Sequence, residues 1–293
     1  MEYNGFFPIV TKYSPFVSCY WPEGRSYIAC FSREDILQYK KGGMKMTQQH
    51  EIAALQAMVD DSRRIVFFGG AGVSTESGIP DFRSVDGLYS QQYTYPPEEM
   101  LSHTMFQLHP EEFYRFYRNK MLYLDAKPNA AHRKLAELEA ARKLSAVVTQ
   151  NIDGLHQAAG SQKVYELHGS VYRNYCTRCG KMYTVQDILR SEGVPKCACG
   201  GIIKPDVVLY EEGLDQDILQ GALRAIQEAD MLIIGGTSLV VYPANGLVEY
   251  FHGKHLAVIN KSPTHMDGRA DLVIAGSIGE ILERIQVSAS EKV

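Results

Sequence analysis

Short apolar runs alternate with helical stretches from residue 64 onward, and this alternation restricts the chain to few folds. The runs read as buried strands because they are rich in Val, Ile, Leu and Phe. They lie at residues 64–68, 145–149, 207–210, 231–234, 256–259 and 272–274. The intervening helices are predicted at 111–124, 130–141, 216–229 and 278–285. Buried strands separated by helices predict an α/β fold, a Rossmann-like doubly wound parallel sheet.

Composition narrows the class of protein. The chain has 293 residues, 45% hydrophobic and 22% charged, which is enough apolar material for a sizeable core. Its net charge of −4 argues against nucleic acid or an anionic membrane as the main partner. We find neither a bilayer-length apolar run nor an N-terminal signal, so we expect a cytoplasmic protein, and we expect it to be a monomer. In that reducing compartment the six cysteines are metal ligands or bystanders rather than disulfides.

Four of the cysteines have metal-ligand spacing. Cys176 and Cys179 are followed, after seventeen residues, by Cys197 and Cys199. Each pair fits a tight turn that aims two thiolates at one ion, with glycines beside both pairs. Four thiolates leave no open coordination position, so the sequence predicts one structural Zn²⁺ in a small module, at about residues 172–203, inserted into the larger domain. Cys19 and Cys30 have no partner at such spacing, and we assign them no role.

A glycine-rich turn follows the first strand. Gly70, Ala71 and Gly72 are small enough for the backbone to approach a pyrophosphate, which the N-terminus of a following helix would also attract. Thr75 stands where the dehydrogenase fingerprint has a third glycine. The turn alone is therefore a weak signal.

Beyond the turn, the sequence resembles the sirtuin family. The resemblance runs through Gly-Ala-Gly-Val-Ser-Thr-Glu-Ser-Gly-Ile-Pro-Asp-Phe-Arg at 70–83 and Thr-Gln-Asn-Ile-Asp-Gly-Leu-His at 149–156. It returns in Leu-His-Gly at 167–169, in Gly-Thr-Ser-Leu at 236–239 and in Asn260. The four cysteines fall where sirtuins hold zinc. The match covers roughly residues 48–284, in the order of the family's motifs.

The resemblance implies an NAD-dependent protein lysine deacetylase. Sirtuins transfer the acyl group of an acetylated lysine to ADP-ribose from NAD, their co-substrate, and release nicotinamide. A base must then activate a ribose hydroxyl, and histidine has a suitable pKa. His168 matches that base, and Asn151 would position the reacting ribose. His156 is expected to be a packing residue.

The remaining family roles concern NAD. The glycine-rich turn would face the phosphates, Gln150 the ribose, and Ile152 and Asp153 the nicotinamide. Thr75 would also contact NAD. The alternative interpretation of Asn151 and Asp153 is structural, because Asn and Asp also commonly cap a turn between a strand and a helix. Phe82 and Arg83 would lie in a loop over NAD. The adenosine half would be held by Gly236, Thr237, Ser238 and Asn260, with Ile278 on the adenine side.

The acylated protein is expected between the large domain and the zinc module. Sirtuins bind the peptide as an added strand. The expected edge is 207–210, with Val208 and Tyr210, and 213–214, facing 240–242. Glu211 and Glu212 together would favour basic residues beside the acyl-lysine.

The acyl group itself is expected to be uncharged. Sirtuins that accept succinyl have a Tyr-x-x-Arg pair on the helix before the Pro-Asn-Ala-Ala-His segment. Here that helix offers Tyr114-x-x-Tyr117 or Tyr117-x-x-Lys120. A buried carboxylate without a guanidinium partner is costly.

Three other functions use parts of the same pattern. Mono-ADP-ribosyl transfer would use the same NAD pocket, but His168 and the strand-edge segment favour deacylation. A non-catalytic nucleotide sensor would not need that histidine. A zinc-ribbon nucleic-acid binder would need a basic stripe with aromatics, which this acidic chain lacks.

Residues 1–45 form an N-terminal extension that shows no sustained period, and the catalytic domain is expected at 46–293. Lys40-Lys41-Gly42-Gly43 can be encoded by a bacterial ribosome-binding sequence, which would make Met46 the native start. Thr47 is then a helix cap. The alternative is a genuine extension that packs on the domain through Trp21.

Overall fold

The computed structural model describes residues 47–81 and 95–287. The chain divides into two compact units, Met1–Ala53 and Ala54–Val293, and both sheets lie in the second. The N-terminal extension, the Met46 start, Phe82 and Arg83 lie outside the described residues, so these predictions stay predictions. The first helix begins directly after Thr47, whose main-chain oxygen accepts from His50 and Glu51.

The large sheet has six parallel strands. These are β1 (Ile65–Gly69), β2 (Leu144–Thr149), β3 (Val164–Glu166), β7 (Met231–Gly235), β8 (His255–Asn260) and β9 (Leu272–Ala275). Their spatial order is β3-β2-β1-β7-β8-β9, the doubly wound order in which the chain starts at the centre and builds outward to both sides. Every residue of β1 and β7 is buried, as expected of strands covered on both faces. The predicted doubly wound parallel sheet is confirmed.

Nine α-helices are assigned among the described residues. They are α1 (Gln48–Asp61), α2 (Pro97–Met100), α3 (His103–Leu108), α4 (Pro110–Lys120), α5 (Ala130–Ala140), α6 (Leu155–Ala158), α7 (Val185–Arg190), α8 (Gln216–Glu228) and α9 (Ile278–Glu283). One face of the sheet packs its Val66 and Phe68 side chains with Ala222 and Ile226 of α8. The pair α5 and α9 contact each other and the sheet. In the described part of the chain, no helix is long and apolar enough to cross a membrane.

The second sheet is small and antiparallel. It consists of β4 (Gly169–Cys176), β5 (Met182–Thr184) and β6 (Ile203–Val207), in the order β5-β4-β6. Helices α2, α3 and α4 pack on it through an apolar cluster that includes Phe106, Phe113 and Val207. This sheet and α7 occupy the stretch where the sequence predicts an inserted module.

Two local predictions are wrong. The strand predicted at 207–210 is observed at Ile203–Val207, where it pairs antiparallel with β4 in the small sheet, because its hydrogen-bonding partner is β4 rather than a strand of the large sheet. Within residues 71–81, which directly follow the first glycine of the turn and are described, there is no α-helix. Two 3₁₀ turns stand there, Ala71–Val73 and Thr75–Ser77, and Gly78 ends the second in the left-handed region at φ 83°.

Candidate active site

A cleft with a volume of about 830 Å³ lies at the carboxyl ends of the large-sheet strands. The turns after β1 and β7 meet there, where the strand order reverses direction. Doubly wound sheets place their ligands at this switch point. The cleft continues along the small sheet, past Val207 and Tyr210.

Glycine is required where these two turns meet. The Gly72 N–H donates to Gly236 O at 2.8 Å, and a Cβ on Gly72 would lie only 2.8 Å from that same oxygen. A Cβ on Gly70 would lie 2.9 Å from the Cβ of Thr237. The N–H groups of Val73 and Ser74 bond back to Gly70 and Ala71. These amides already have hydrogen-bond partners within the chain. The turn therefore does not offer a phosphate the free N–H groups of a helix N-terminus that the sequence predicts.

Ser74 connects two of the predicted polar residues. Its hydroxyl donates to Asp153 Oδ2 at 2.6 Å and accepts from Asn151 Nδ2 at 3.0 Å. The N–H of Leu155 also donates to Asp153, at 2.9 Å. Burial is the main cause that raises the pKa of Asp153, and these two hydrogen bonds oppose it. Sequence reasoning assigned no role to Ser74, although it lies inside the motif at 70–83.

Asn129 was also missed. It caps α5 by accepting from the Ala131 N–H at 2.9 Å. Its Nδ2 donates to Val73 O at 2.7 Å and to Ser77 Oγ at 3.0 Å. The start of α5 thereby fixes both 3₁₀ turns behind the cleft. The available signal was its place in the Pro-Asn-Ala-Ala-His segment.

His168 is half-buried in the cleft wall between β3 and β4. Its Nδ1 lies 3.1 Å from the main-chain oxygen of Gln150. Because a carbonyl only accepts, Nδ1 carries the proton of the neutral ring and Nε2 keeps its lone pair. Burial lowers the pKa of His168 below 6.5, although the bond to Gln150 raises it. At neutral pH this imidazole is a base.

Polar side chains gather around the turn after β7. Gln150 Nε2 donates to Thr237 Oγ1 at 3.3 Å, and Asn260 Nδ2 donates to Thr237 O at 3.1 Å. The Leu239 N–H donates to the same Thr237 hydroxyl at 3.2 Å. Thr237 therefore joins the ends of β2, β7 and β8.

Most predicted site residues line this one cleft. They are Ala71, Gly72, Thr75, Gln150, Asn151, Ile152, Asp153, His168, Val208, Tyr210, Gly236, Thr237, Ser238, Asn260 and Ile278. Gly70 lies behind the cleft wall against Thr237. Residues that also line it, and to which the sequence analysis gave no role, include Ser74, Asp81 and Tyr172. His156 is buried outside the lining, as expected of a packing residue.

The segment after β6 is held on one side by the chain itself. The Val208 N–H donates to His168 O at 3.0 Å, and the Tyr210 N–H to Leu101 O at 3.0 Å. Glu212 accepts from the Leu209 N–H and pairs with Lys204 and His103, at distances of 2.8 to 3.0 Å. Three successive amides thus donate within the chain. The carbonyl oxygens of Leu209 and Tyr210 also accept within the chain, from the N–H groups of Glu212 and His103 at 3.0 and 2.9 Å.

Glu211 is the second carboxylate of this segment. Its Oε2 accepts from the N–H and hydroxyl of Thr104, at 2.9 and 2.7 Å. Both carboxylates are therefore engaged by the chain, and the preference for basic flanking residues stays a prediction.

The tyrosines of α4 point away from the cleft. Tyr114 and Tyr117 are fully buried, and the Tyr114 hydroxyl donates to Ile203 O. The Tyr117 ring stacks on Phe113 at 5.8 Å between centroids. Of the residue pairs considered from sequence, only Lys120 reaches the cleft lining.

The four clustered cysteines fit a tetrahedral metal site. Their Sγ atoms all lie within 4.8 Å of one another, with 3.4 Å between Cys176 and Cys199 and 3.6 Å between Cys179 and Cys197. A zinc–thiolate bond of about 2.3 Å gives tetrahedral edges of roughly 3.8 Å. Gly180 and Gly200 adopt φ of 70° and 85° in the two turns, which confirms their predicted conformational role.

Together, these features define an α/β domain built to bind a dinucleotide, with a basic imidazole in its cleft and an inserted four-cysteine module. The sequence profile of the Sir2 family matches residues 70–243. The chain belongs to the Sir2 family, the sirtuins.

Named relatives agree with this assignment. A protein of Clostridium acetobutylicum named NAD-dependent protein deacetylase is 62% identical over 239 residues, which cover 80% of this chain and 98% of the relative. A protein of the same name in Clostridium perfringens is 59% identical over 239 residues, which likewise cover 80% of this chain and 98% of the relative. A Sir2 structure with a p53 peptide and NAD⁺ has a TM-score of 0.72 at 43% identity, and covers 82% of this chain and 97% of its own. Sir2Tm bound to a propionylated peptide has a TM-score of 0.72 at 41% identity, and covers 80% and 96%.

Proposed function

We propose that this protein is an NAD-dependent protein lysine deacetylase. The observation that carries the proposal is the neutral imidazole of His168, held by Gln150 in the same cleft as Asn151 and Asp153. The names of the relatives support the activity, and the solved Sir2 complexes with NAD⁺ and with acetylated peptide support the two substrates.

NAD, the co-substrate, supplies a ribose carbon activated by its nicotinamide leaving group. Asn151 and Asp153 hold the nicotinamide end of the cleft, with Ser74 fixing the orientation of both. Thr237, Asn260 and Ile278 hold the adenosine end. Positioning carries much of the barrier here, because the nucleophile is the weakly reactive amide oxygen of an acyl-lysine.

His168 then acts as the general base. Its Nε2 takes the proton from a ribose hydroxyl, so that the hydroxyl oxygen bonds to the acyl carbon. Nicotinamide leaves earlier, when the amide oxygen bonds to the ribose carbon. Addition of water and cleavage of the bond between the acyl carbon and the lysine nitrogen then release free lysine and O-acetyl-ADP-ribose. The bond from Nδ1 to Gln150 stabilises the imidazolium that forms, because a charged donor makes a stronger hydrogen bond than a neutral one.

The acyl-lysine would enter beside Val208 and Tyr210, between the large and small sheets. The four cysteines would hold one Zn²⁺, whose fourfold thiolate coordination leaves no position for substrate. The metal would therefore stabilise the module and take no part in the chemistry. The net charge of −4 supports protein rather than nucleic-acid substrates, and we place the enzyme in the cytoplasm.

A single incubation tests this function. The purified protein is mixed with NAD and an acetyl-lysine peptide, and all products are identified by mass spectrometry. Free lysine peptide together with O-acetyl-ADP-ribose is the expected result. An ADP-ribosylated peptide that keeps its acetyl group would instead show mono-ADP-ribosyl transfer, and an unchanged mixture would refute both.

A further inference from the structure

Strand β4 contains an irregularity next to the base. Its Ser170 pairs with Asp206 of β6, yet Asn174 pairs with the adjacent Pro205, so three residues, 171–173, bulge from the ladder with β6, while Arg173 stays paired with Thr184 of β5. Bulges occur beside active sites, where they redirect side chains. This bulge begins three residues after His168 and lies opposite the end of β6, from which the Val208–Tyr210 segment departs.

Each bulge residue reaches a different part of the site. The Val171 N–H donates to Ile152 O at 3.1 Å. The Tyr172 ring covers Gly154, where a Cβ would lie 2.8 Å from the ring. The Asn174 amide, fully buried, closes the bulge by donating to Val171 O at 3.2 Å. The bulge is thus fastened to the turn that follows β2.

Arg173 fastens the bulge on its other side. Its Nη1 lies 2.7 Å from Glu166 Oε2, and its Nε lies 2.7 Å from Asp206 Oδ2. Glu166 belongs to β3 of the large sheet and is only 8% exposed. Asp206 belongs to β6 of the small sheet. One guanidinium therefore links the two sheets.

The linked carboxylates flank the reacting groups. Glu166 precedes His168 by two residues, and Asp206 precedes Val208 by two residues. His168 O accepts from the Val208 N–H at 3.0 Å, and a Cβ on Gly169 would lie 1.9 Å from Asp206 O. The base and the substrate segment are thus in direct contact. Arg173 connects the same two stretches of chain a second time, from outside the cleft.

We propose that Arg173 is a positioning residue, which sets the distance between His168 and the acyl-lysine segment by bridging Glu166 and Asp206. This inference rests on the proposed deacetylase function. Arg173 does not line the cleft, so it acts through the two strands it joins. Because Arg presents two donors in a rigid fork, Lys at this position would hold one carboxylate at a time.

Two variants test the role of Arg173 while keeping the fold. Asp206→Asn leaves the buried Glu166 paired, and Arg173→Lys keeps a cation beside it. In both we expect kcat/KM for the acetyl peptide to fall by roughly 10- to 100-fold, as displacement of a reacting group by about 1 Å can cause. The dissociation constant of ADP-ribose, measured by titration calorimetry, should stay close to that of the unaltered protein. A combined variant should lose no more than the worse single one, because both changes break one bridge.

Arg269→Gln is the matched control. It breaks a half-exposed pair with Glu249 that lies outside the cleft lining, so peptide kinetics should not change. Peptide kinetics of Asp206→Asn and Arg173→Lys equal to this control would overturn the inference. So would a loss of ADP-ribose affinity in proportion to the loss of peptide kcat/KM. An unaltered protein that binds ADP-ribose but leaves the acetyl peptide intact would refute the proposed function instead.

Discussion

The Nδ1 atom of His168 lies 3.1 Å from the carbonyl oxygen of Gln150, in the strand-end turn that also supplies Asn151 and Asp153. This contact decides which ring nitrogen is protonated, and so which one can accept a proton. It also ties the base to the residues assigned to nicotinamide. Chemistry and cofactor position are thereby set by one short stretch of chain.

Replacing the base should separate catalysis from binding. His168→Ala should lower deacetylation by at least about 100-fold, the usual contribution of a general base, while ADP-ribose still binds. Rates are measured on an acetyl peptide, and binding is measured by calorimetry. His156→Ala does not serve as a control because that ring is buried, so exposed His252→Ala takes its place. Near-normal turnover by the His168 variant would show that another group is the base.

The pH dependence should reflect the lowered pKa of His168. The base works only when neutral, so activity is lost as pH falls through its pKa. Burial places that pKa below 6.5, and the acid limb of kcat/KM should therefore have its midpoint below pH 6.5. Burial raises the pKa of the neighbouring Asp153 carboxyl group, which could contribute to the same limb. The Asp153→Asn variant identifies that contribution. A midpoint above 6.5 in the unaltered protein would contradict the neutral, buried imidazole.

Loss of one thiolate should release the metal. Cys176→Ser should abolish stoichiometric zinc, loosen the small sheet and remove most activity, because metal binding and folding of such modules are coupled. Metal content is read by elemental analysis and folding by thermal denaturation. Cys30→Ser, which removes a cysteine that we assign to no site, should change neither. One zinc per chain retained by the Cys176 variant would disprove coordination by all four cysteines.

The acyl range should favour uncharged groups. Tyr114 and Tyr117 are buried away from the cleft, and the described part of its lining contains no arginine. A succinyl carboxylate would be desolvated without a bidentate partner, so we expect rates at least about tenfold below acetyl, equivalent to about 1.4 kcal/mol. A butyryl peptide is the control, because it matches much of the bulk without the charge. Succinyl rates comparable to acetyl rates would refute the prediction.

Two histidines should make the fold sensitive to acid. His132 and His156 are buried with their rings 4.7 Å apart, and within the described residues neither ring nitrogen of His156 has a hydrogen-bond partner. Burial, with a smaller effect of Arg133, lowers the pKa of His132 to about 4. Burial and then His132 lower the pKa of His156 well below 6.5. Both rings are therefore neutral when folded and take up protons on unfolding.

The sign follows from this proton uptake. As pH falls from 6.5 toward about 4, the unfolded chain binds the protons, so the free energy of unfolding should decrease by up to about 1.4 kcal/mol per pH unit and proton. His156→Leu should reduce this slope in urea unfolding followed from pH 7.5 to 5, and exposed His252→Leu should not. A slope unaltered by His156→Leu would show that this ring does not contribute.

Local composition was sufficient to predict the regular elements but not the contacts between them. The apolar runs at β1, β7 and β8 predict buried parallel strands, because a strand covered on both faces of the sheet is apolar along its whole length. The cysteine spacing likewise predicts its own turns. Ser74 reaches Asp153 across 79 positions, and Arg173 reaches Asp206 across 33, and no local pattern encodes either contact. The prediction of a large-sheet strand at 207–210 was wrong for the same reason, because the apolar residues of this segment are compatible with either sheet.

The strand order also fixes when the sheet can be finished during synthesis. β1 lies at the centre, between β2 and β7, yet β7 begins only at Met231. Once β2 has been made, a growing chain therefore carries β1 with one unpaired edge while β3, the cysteine module and α8 are being made. The four thiols leave the ribosome before β7, so they are available to a metal before the sheet closes. A chain interrupted before Met231 would expose the apolar edge of Ile65–Gly69, which is the kind of strand that pairs with other molecules and aggregates.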